Sequence, residues 1–329
     1  MQFTFYSFLI AVITSSLMII VIYFLKKTKF FCNAFGVYMM VLLYVMSLVR
    51  MLVPVEFTSV CAVIYDPYVL APVMDFLENR SSVTEPLPFP ALYILASAMV
   101  LVAMIKLVHF YVKHTKFQRG VRKLQDFSTR REREILRKVS KETFFVDHKV
   151  SLIKTDKVTF PIVTGLLHNV VLLPNCDYSD KELELILKHE CTHLLNNDLW
   201  LKALIHIYCC LFWWNPLSFL LKADIDFILE LKCDNNVYAK LDSMSRLDYA
   251  KAVNDCAIRA KKSKGSLKAA SVFSAFARKD ANKLHAYRLN NLLKIGNYGY
   301  KKVLPATLMS IMLVSMFVLS YFVVVHPYY

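Results

Sequence analysis

Residues 179–197 read Ser179-Asp-Lys-Glu182-Leu-Glu-Leu-Ile-Leu-Lys-His189-Glu190-Cys191-Thr192-His193-Leu-Leu-Asn-Asn197. A serine followed three positions later by a glutamate is a capping box, so the pattern predicts a helix that opens at Ser179 and runs to about Asn197. On such a helix His189 and His193 share one face about a turn apart, where both imidazoles can reach a single tetrahedral zinc. The Glu190 carboxylate, beside the first histidine, can take a proton from a metal-bound water. With nine histidines in the chain, such an HExxH pattern arises by chance roughly once in a hundred comparable sequences, so it carries weight. A third protein ligand is needed. Glu230 offers one in Glu230-Leu-Lys-Cys-Asp234, on a second helical stretch beginning near 217, with Asp224 and Asp226 as competitors. Asp234, one turn beyond Glu230, is spaced to accept a hydrogen bond from a ligand imidazole.

Outward from this helix the period changes. Residues 150–155 and 158–174 are rich in Val, Ile, Thr and Leu and are broken by Pro161 and Gly165, predicting a small sheet with an edge strand. Residues 113–141 form a basic helical stretch with apolar Val121, Leu124, Ile135, Leu136 and Val139, read as a solvated connector near anionic lipid. Interleaved Glu132 and Glu134 and the lack of stacking aromatics argue against direct nucleic-acid binding.

Further out, four apolar runs (3–25, 31–53, 89–112 and 303–325) are each long enough to cross a bilayer. They account for a hydrophobic share of 57%, above that of soluble chains. The first run has no basic stretch before it and reads as a retained helix rather than a cleaved signal. Arg50, Lys106 and His109 sit in or near the runs and are expected to snorkel. Lys26, Lys27 and Lys29 separate the first two runs, whereas 54–88 carries five acids and one base. The positive-inside rule then puts 113–302 in the cytoplasm and both termini outside. That inner segment holds 34 basic and 20 acidic residues, so +14 of the net +15 belongs to it. Of the eight cysteines only Cys61 is external, so no disulfide framework is implied. Residues 199–221 are apolar enough to span, yet a fifth crossing would strand Glu230 across the bilayer from His189. The stretch is therefore read as buried against other helices or lying in the inner leaflet.

Together these readings give a mainly α membrane protein. Residues 1–112 carry three transmembrane helices and the external loop 54–88. Residues 113–302 form a cytoplasmic α+β domain resembling gluzincin zinc metallopeptidases, and 303–329 the fourth helix with a short external tail.

The whole chain resembles the BlaR/MecR type of integral membrane zinc metallopeptidase, peptidase family M56. The resemblance rests on the HExxH, Trp214-Asn215-Pro216 and Glu230-x-x-x-Asp234 between the third and fourth runs. Pro161, Gly165, Val170-Val-Leu-Leu-Pro174, Asp198 and Leu247-Asp-Tyr-Ala250 add to it. It implies His189, His193 and Glu230 as zinc ligands and Glu190 as general base. It also implies a plasma-membrane signal transducer that cleaves itself and promotes loss of a cytoplasmic repressor. Partners would be membrane lipid and that repressor or the chain itself as substrate, and a homodimer is compatible with it. Two departures stand out: Leu194-Leu-Asn-Asn197 replaces the arginines common in the family, and the chain ends four residues after the last run, where the antibiotic sensors carry a penicillin-binding domain.

His168, Tyr238 and Tyr287 are the candidates for a second oxyanion donor, with nothing to choose among them. By composition, 261–279, with Ser271-Val-Phe-Ser-Ala-Phe276, is the expected self-cleavage segment. An extended substrate could pair with the edge strand between Val163 and Val171. The alternatives are a housekeeping gluzincin-type membrane protease, separable by its many substrates, and a non-catalytic sensor or immunity protein with a structural zinc, which has no use for Glu190.

Overall fold

The computed structural model describes residues 5–26, 34–55, 62–64, 91–144, 149–262, 281–294 and 303–325. Three described helices are long and apolar enough to cross a membrane: α1 (Phe5–Leu25), α2 (Ala34–Leu52) and α3 (Ala91–Val121). The first two coincide with apolar runs, and α3 continues nine residues past the end of its run into basic sequence. The fourth run differs from expectation. It forms a helix only over Val303–Leu319, then turns and enters a strand, Val323–Val325, which pairs in parallel with the strand Ala62–Ile64.

Arg50 meets the chain where that helix ends. Expected to snorkel, it is instead completely buried, its Nε donating to Ser320 Oγ at 2.9 Å and its Nη2 to the Ser320 carbonyl at 3.0 Å. Its guanidinium also lies 4.4 Å from the centre of the Tyr321 ring. A cation on the last carbonyls of a helix satisfies acceptors that the helix itself cannot.

The basic stretch 113–141 is likewise not a single solvated connector. It breaks after Val121, and a second helix, α4 (Arg130–Phe144), starts at a reciprocal cap: Thr129 N donates to Glu132 Oε2 at 2.8 Å and Glu132 N to Thr129 Oγ1 at 3.3 Å. Leu136 and Val139 of α4 are buried against the sheet and the helix that follows it.

That sheet numbers its strands β1 (Ala62–Ile64, in the separate pair above), β2 (Val150–Thr155), β3 (Ile162–Thr164) and β4 (Asn169–Pro174), with Val323–Val325 as β5. Its order is β2-β4-β3, with β2 parallel and β3 antiparallel to β4. Central β4 sends Val171 and Leu173 to one side, against α4, and Leu172 to the other, against Val121 and Val158, the alternation a doubly covered strand requires. Gly165 closes the β3–β4 turn at φ +93°, where a Cβ would fall 1.9 Å from the His168 carbonyl oxygen, so only glycine fits. The predicted edge strand is β3 alone, since Val170 and Val171 belong to the central strand.

Three helices then build the rest. Helix α5 (Asp180–Leu195) is capped by Ser179, whose Oγ accepts from Glu182 N at 3.2 Å. Asn197, left-handed at φ 55°, turns the chain into α6 (Asp198–Leu211). Asn215 caps α7 (Pro216–Ala239), accepting from Leu217 N, with proline in the first turn where its missing N–H costs nothing. So 199–221 is a helical hairpin with one face packed against the other helices, while Trp200, Leu204, Ile207, Leu211 and Phe219 stay exposed. Its tip is deep among them: Asn215 Nδ2 lies 3.3 Å from Ser16 Oγ, midway along α1, and Trp213 Nε1 lies 3.4 Å from the Met99 carbonyl of α3. Along its length α7 packs on α1 and α2 through Leu221, Ile225 and Ile228. Polar ties reinforce that contact: Tyr44 OH donates to Asp224 at 2.6 Å, Lys26 pairs with the same carboxylate, and Tyr38 OH donates to Asn236 at 2.8 Å. Two further helices, α8 (Ser243–Lys262) and α9 (Ala281–Lys294), pack against α7 and each other before α10 (Val303–Leu319).

Candidate metal centre

His189 and His193 project from α5 toward α7, and both are buried. Their Nε2 atoms lie 3.2 Å apart. The Glu230 carboxylate closes a triangle, Oε2 at 3.4 Å from His189 Nε2 and Oε1 at 3.5 Å from His193 Nε2. In a tetrahedron with metal–ligand bonds of about 2.0–2.1 Å the ligand atoms stand about 3.3 Å apart, and these three spacings are close to that, the two to Glu230 ending on different oxygens of its carboxylate.

The other ring nitrogens are engaged in the way metal-binding histidines require. His193 Nδ1 donates to Asp198 Oδ2 at 2.8 Å, while Lys232 donates to Asp198 Oδ1 at 2.6 Å. His189 Nδ1 donates to the Tyr249 hydroxyl at 2.8 Å, which in turn donates to Asp234 Oδ1 at 2.7 Å. Both imidazoles are thereby held in the tautomer that leaves Nε2 free for the metal. Asp234 was spaced in sequence to reach the imidazole itself; it stands 3.4 Å from His189 Nδ1, and Tyr249 makes the shorter link.

Cys233 is a rival that the sequence reading did not weigh, since its sulfur and one donor each of His189 and His193 lie within 4.8 Å of one another. Its Sγ is 3.4 Å from His189 Nδ1 and 3.2 Å from the His189 carbonyl oxygen. That is the nitrogen already bonded to Tyr249, whereas Glu230 faces Nε2 of both rings. Asp224, a competitor in the sequence, is taken by Tyr44 and Lys26.

Electrostatically the site calls for a cation. Burial alone would lower the His189 imidazole, but Cys233 and Glu230 outweigh it and push its pKa up to about 10. His193 is raised as well, against burial, by Cys233, Glu230 and Asp198. Burial would raise Glu230, yet His193, His189 and Arg288 hold it well below the usual carboxylate range. Glu190, the expected base, is buried on α5 beside His189.

Two participants were not singled out in the sequence. Tyr249 lies in the quoted Leu247–Ala250 motif with no role attached. Arg288 comes from α9, 58 residues past Glu230, and no spacing rule reaches that far. Its Nε and Nη2 each donate to Asp234 at 2.7 Å. Of the three expected oxyanion candidates, Tyr287 packs edge-on with Phe227, Tyr238 lies under the Arg246 guanidinium, and the His168 carbonyl sits in the β3–β4 turn, contacts that do not choose among them. The expected self-cleavage segment lies, from residue 263 to 279, outside the described residues, as does most of the loop 54–88.

Comparison with known proteins gives the chain a family. A family profile described as BlaR1 peptidase M56 matches residues 6–279. The methicillin resistance mecR1 protein of Staphylococcus aureus is 30% identical over 122 residues, 36% of this chain and 21% of that protein. The regulatory protein BlaR1 of Bacillus licheniformis is 26% identical over 208 residues, 62% of this chain and 33% of that protein. The match thus spans a fifth to a third of the length of these relatives.

Proposed function

Because the chain belongs to the BlaR1 peptidase M56 family, we propose that it is an integral membrane zinc metallopeptidase acting as a signal transducer, its zinc held by His189, His193 and Glu230. The observation that carries this reading is the donor triangle, with edges of 3.2, 3.4 and 3.5 Å and both remaining ring nitrogens bonded. A zinc in that triangle supplies Lewis acidity toward a scissile carbonyl and a nucleophilic water at neutral pH. Glu190 takes the proton of the attacking water and returns it to the leaving amine. Asp198 and Tyr249 keep the two imidazoles facing the same point, and Lys232 neutralises Asp198 so that this carboxylate can stay buried.

The names of the relatives, a regulatory protein and a methicillin-resistance protein, support a signalling role. In it the substrate is the chain's own cytoplasmic segment or a cytoplasmic repressor. Strand β3, which packs beside α5 and has one edge open, suits an extended peptide pairing backbone to backbone. The four apolar runs cross the plasma membrane with the metal centre on the cytoplasmic side. By helix rise, Glu230 stands about 20 Å along α7 from the hairpin tip, just beyond the inner ends of α1 and α2.

Expression of the wild type and Glu190→Ala in membranes, with bound zinc measured and the full-length chain followed by immunoblot, tests the reading. The expected result is one zinc in each and cleavage in the wild type only. If neither chain binds zinc and neither is cut under any inducing condition, the peptidase reading fails.

A further inference from the structure

One guanidinium reaches two of the three metal donors, Glu230 and His189. Arg288 uses one edge, Nε and Nη2, to hold Asp234 in two bonds of 2.7 Å. The other edge points at the metal donors: Nη1 lies 3.3 Å from Glu230 Oε2 and Nη2 lies 3.4 Å from His189 Nε2. A fourth tetrahedral position would lie about 3.3 Å from each donor, and Nη1 and Nη2 stand at that same distance from Glu230 and His189, so the N–H groups of that second edge reach the space a reacting oxygen would use. Asp234 is fully buried and also bonded by Tyr249, so the arginine is anchored and cannot swing freely.

From this geometry we propose that Arg288 is a catalytic residue of the metallopeptidase reaction, donating hydrogen bonds to the scissile carbonyl oxygen as it gains negative charge. This inference rests on the function proposed above. It fills the role that His168, Tyr238 and Tyr287 left open, and it makes α9 part of the active site. A donor fixed before the charge develops needs no reorganisation at the moment of reaction, and removing such a donor typically lowers kcat by 10²–10³-fold. Arg288 acts as a charged fork, so lysine is not an equivalent replacement: its single ammonium cannot hold Asp234 by two bonds and face the carbonyl at once.

The test uses the full chain in detergent with zinc bound. Arg288→Gln, Arg288→Lys and the double variant Arg288→Gln with Asp234→Asn, which removes the carboxylate left unpaired, are compared with wild type. Read out are zinc content, the self-cleavage rate, and the affinities for a phosphinic tripeptide, which mimics the tetrahedral carbon, and for acetohydroxamate, which needs only the metal. The expected result is zinc retained, self-cleavage slowed about 10²–10³-fold, phosphinate affinity lost by a similar factor, and acetohydroxamate binding unchanged. Cleavage at the wild-type rate or faster in the glutamine variants overturns the proposal, the latter making Arg288 a plug. Loss of zinc in the double variant overturns it too, reducing the arginine to a structural counter-charge. If the wild type itself binds no zinc and is not cut, it is the metallopeptidase reading that fails.

Discussion

Three buried carboxylates in the domain that carries the metal donors come with partners arranged for them. Asp198 sits between His193 and Lys232, Asp234 between Arg288 and Tyr249, and Glu132 against Lys154 at 2.8 Å. Such pairs stabilise little against apolar alternatives, but breaking one strands a charge and costs about 3–5 kcal/mol. Glu132 gives a clean test because it lies away from the metal donors. Burial would raise its carboxyl, but Lys154 and the Thr129 backbone N–H hold it below the ordinary value of 4.5. A folded pKa below the unfolded one means the contribution is complete above about pH 4.5 and is lost as pH falls through the folded value. Thermal unfolding in detergent from pH 7 to pH 3 should therefore show Glu132→Gln less stable at pH 7 and with a shallower acid decline than wild type. An unchanged acid slope in the variant would mean the pair does not contribute in this way.

At the scale of elements, the hairpin of α6 and α7 joins the metal centre to the apolar helices. Its tip lies level with Ser16 and Met99, so Trp213 and Trp214 should sit within hydrocarbon, whereas Trp200 lies about 20 Å back along α6. Since the chain has three tryptophans, lipids brominated at mid-chain should quench Trp200→Phe more strongly than Trp213→Phe/Trp214→Phe. Equal quenching, or the reverse, would take the hairpin out of the bilayer. The sequence showed α5 clearly because its cap and both histidines fall within one helix, where spacing alone determines what shares a face. It also argues against a fifth crossing at 199–221, because one would separate Glu230 from His189, and the two meet in the fold. What it hid were features set by partners distant in the chain. Arg50 is buried because Ser320 offers its oxygens, and α4 is a core helix because β4 passes beneath it. Arg288 joins the site because α9 folds back on α7. Hydrophobic period reports a residue's own element, and it carries no information about which remote polar group will meet it.

Viewed whole, the molecule ties a zinc-type donor set to its membrane helices through one rigid helix. Helix α7 carries Glu230, Cys233 and Asp234 at one end and is locked along α1 and α2 by Asp224 and Asn236. A shift of α2 relative to α1 would be transmitted to Glu230, which under the proposed function couples the membrane helices to the metal site. The identity of the third ligand decides the site, because His189 and His193 can complete a zinc site with either Glu230 or Cys233. The most direct measurement is X-ray absorption at the zinc edge of the purified Glu190→Ala chain, which keeps the metal site while preventing self-cleavage. The account predicts a first shell of nitrogen and oxygen only, at about 2.0–2.1 Å, including two imidazoles; a sulfur scatterer at about 2.3 Å, giving the position to Cys233, would contradict it.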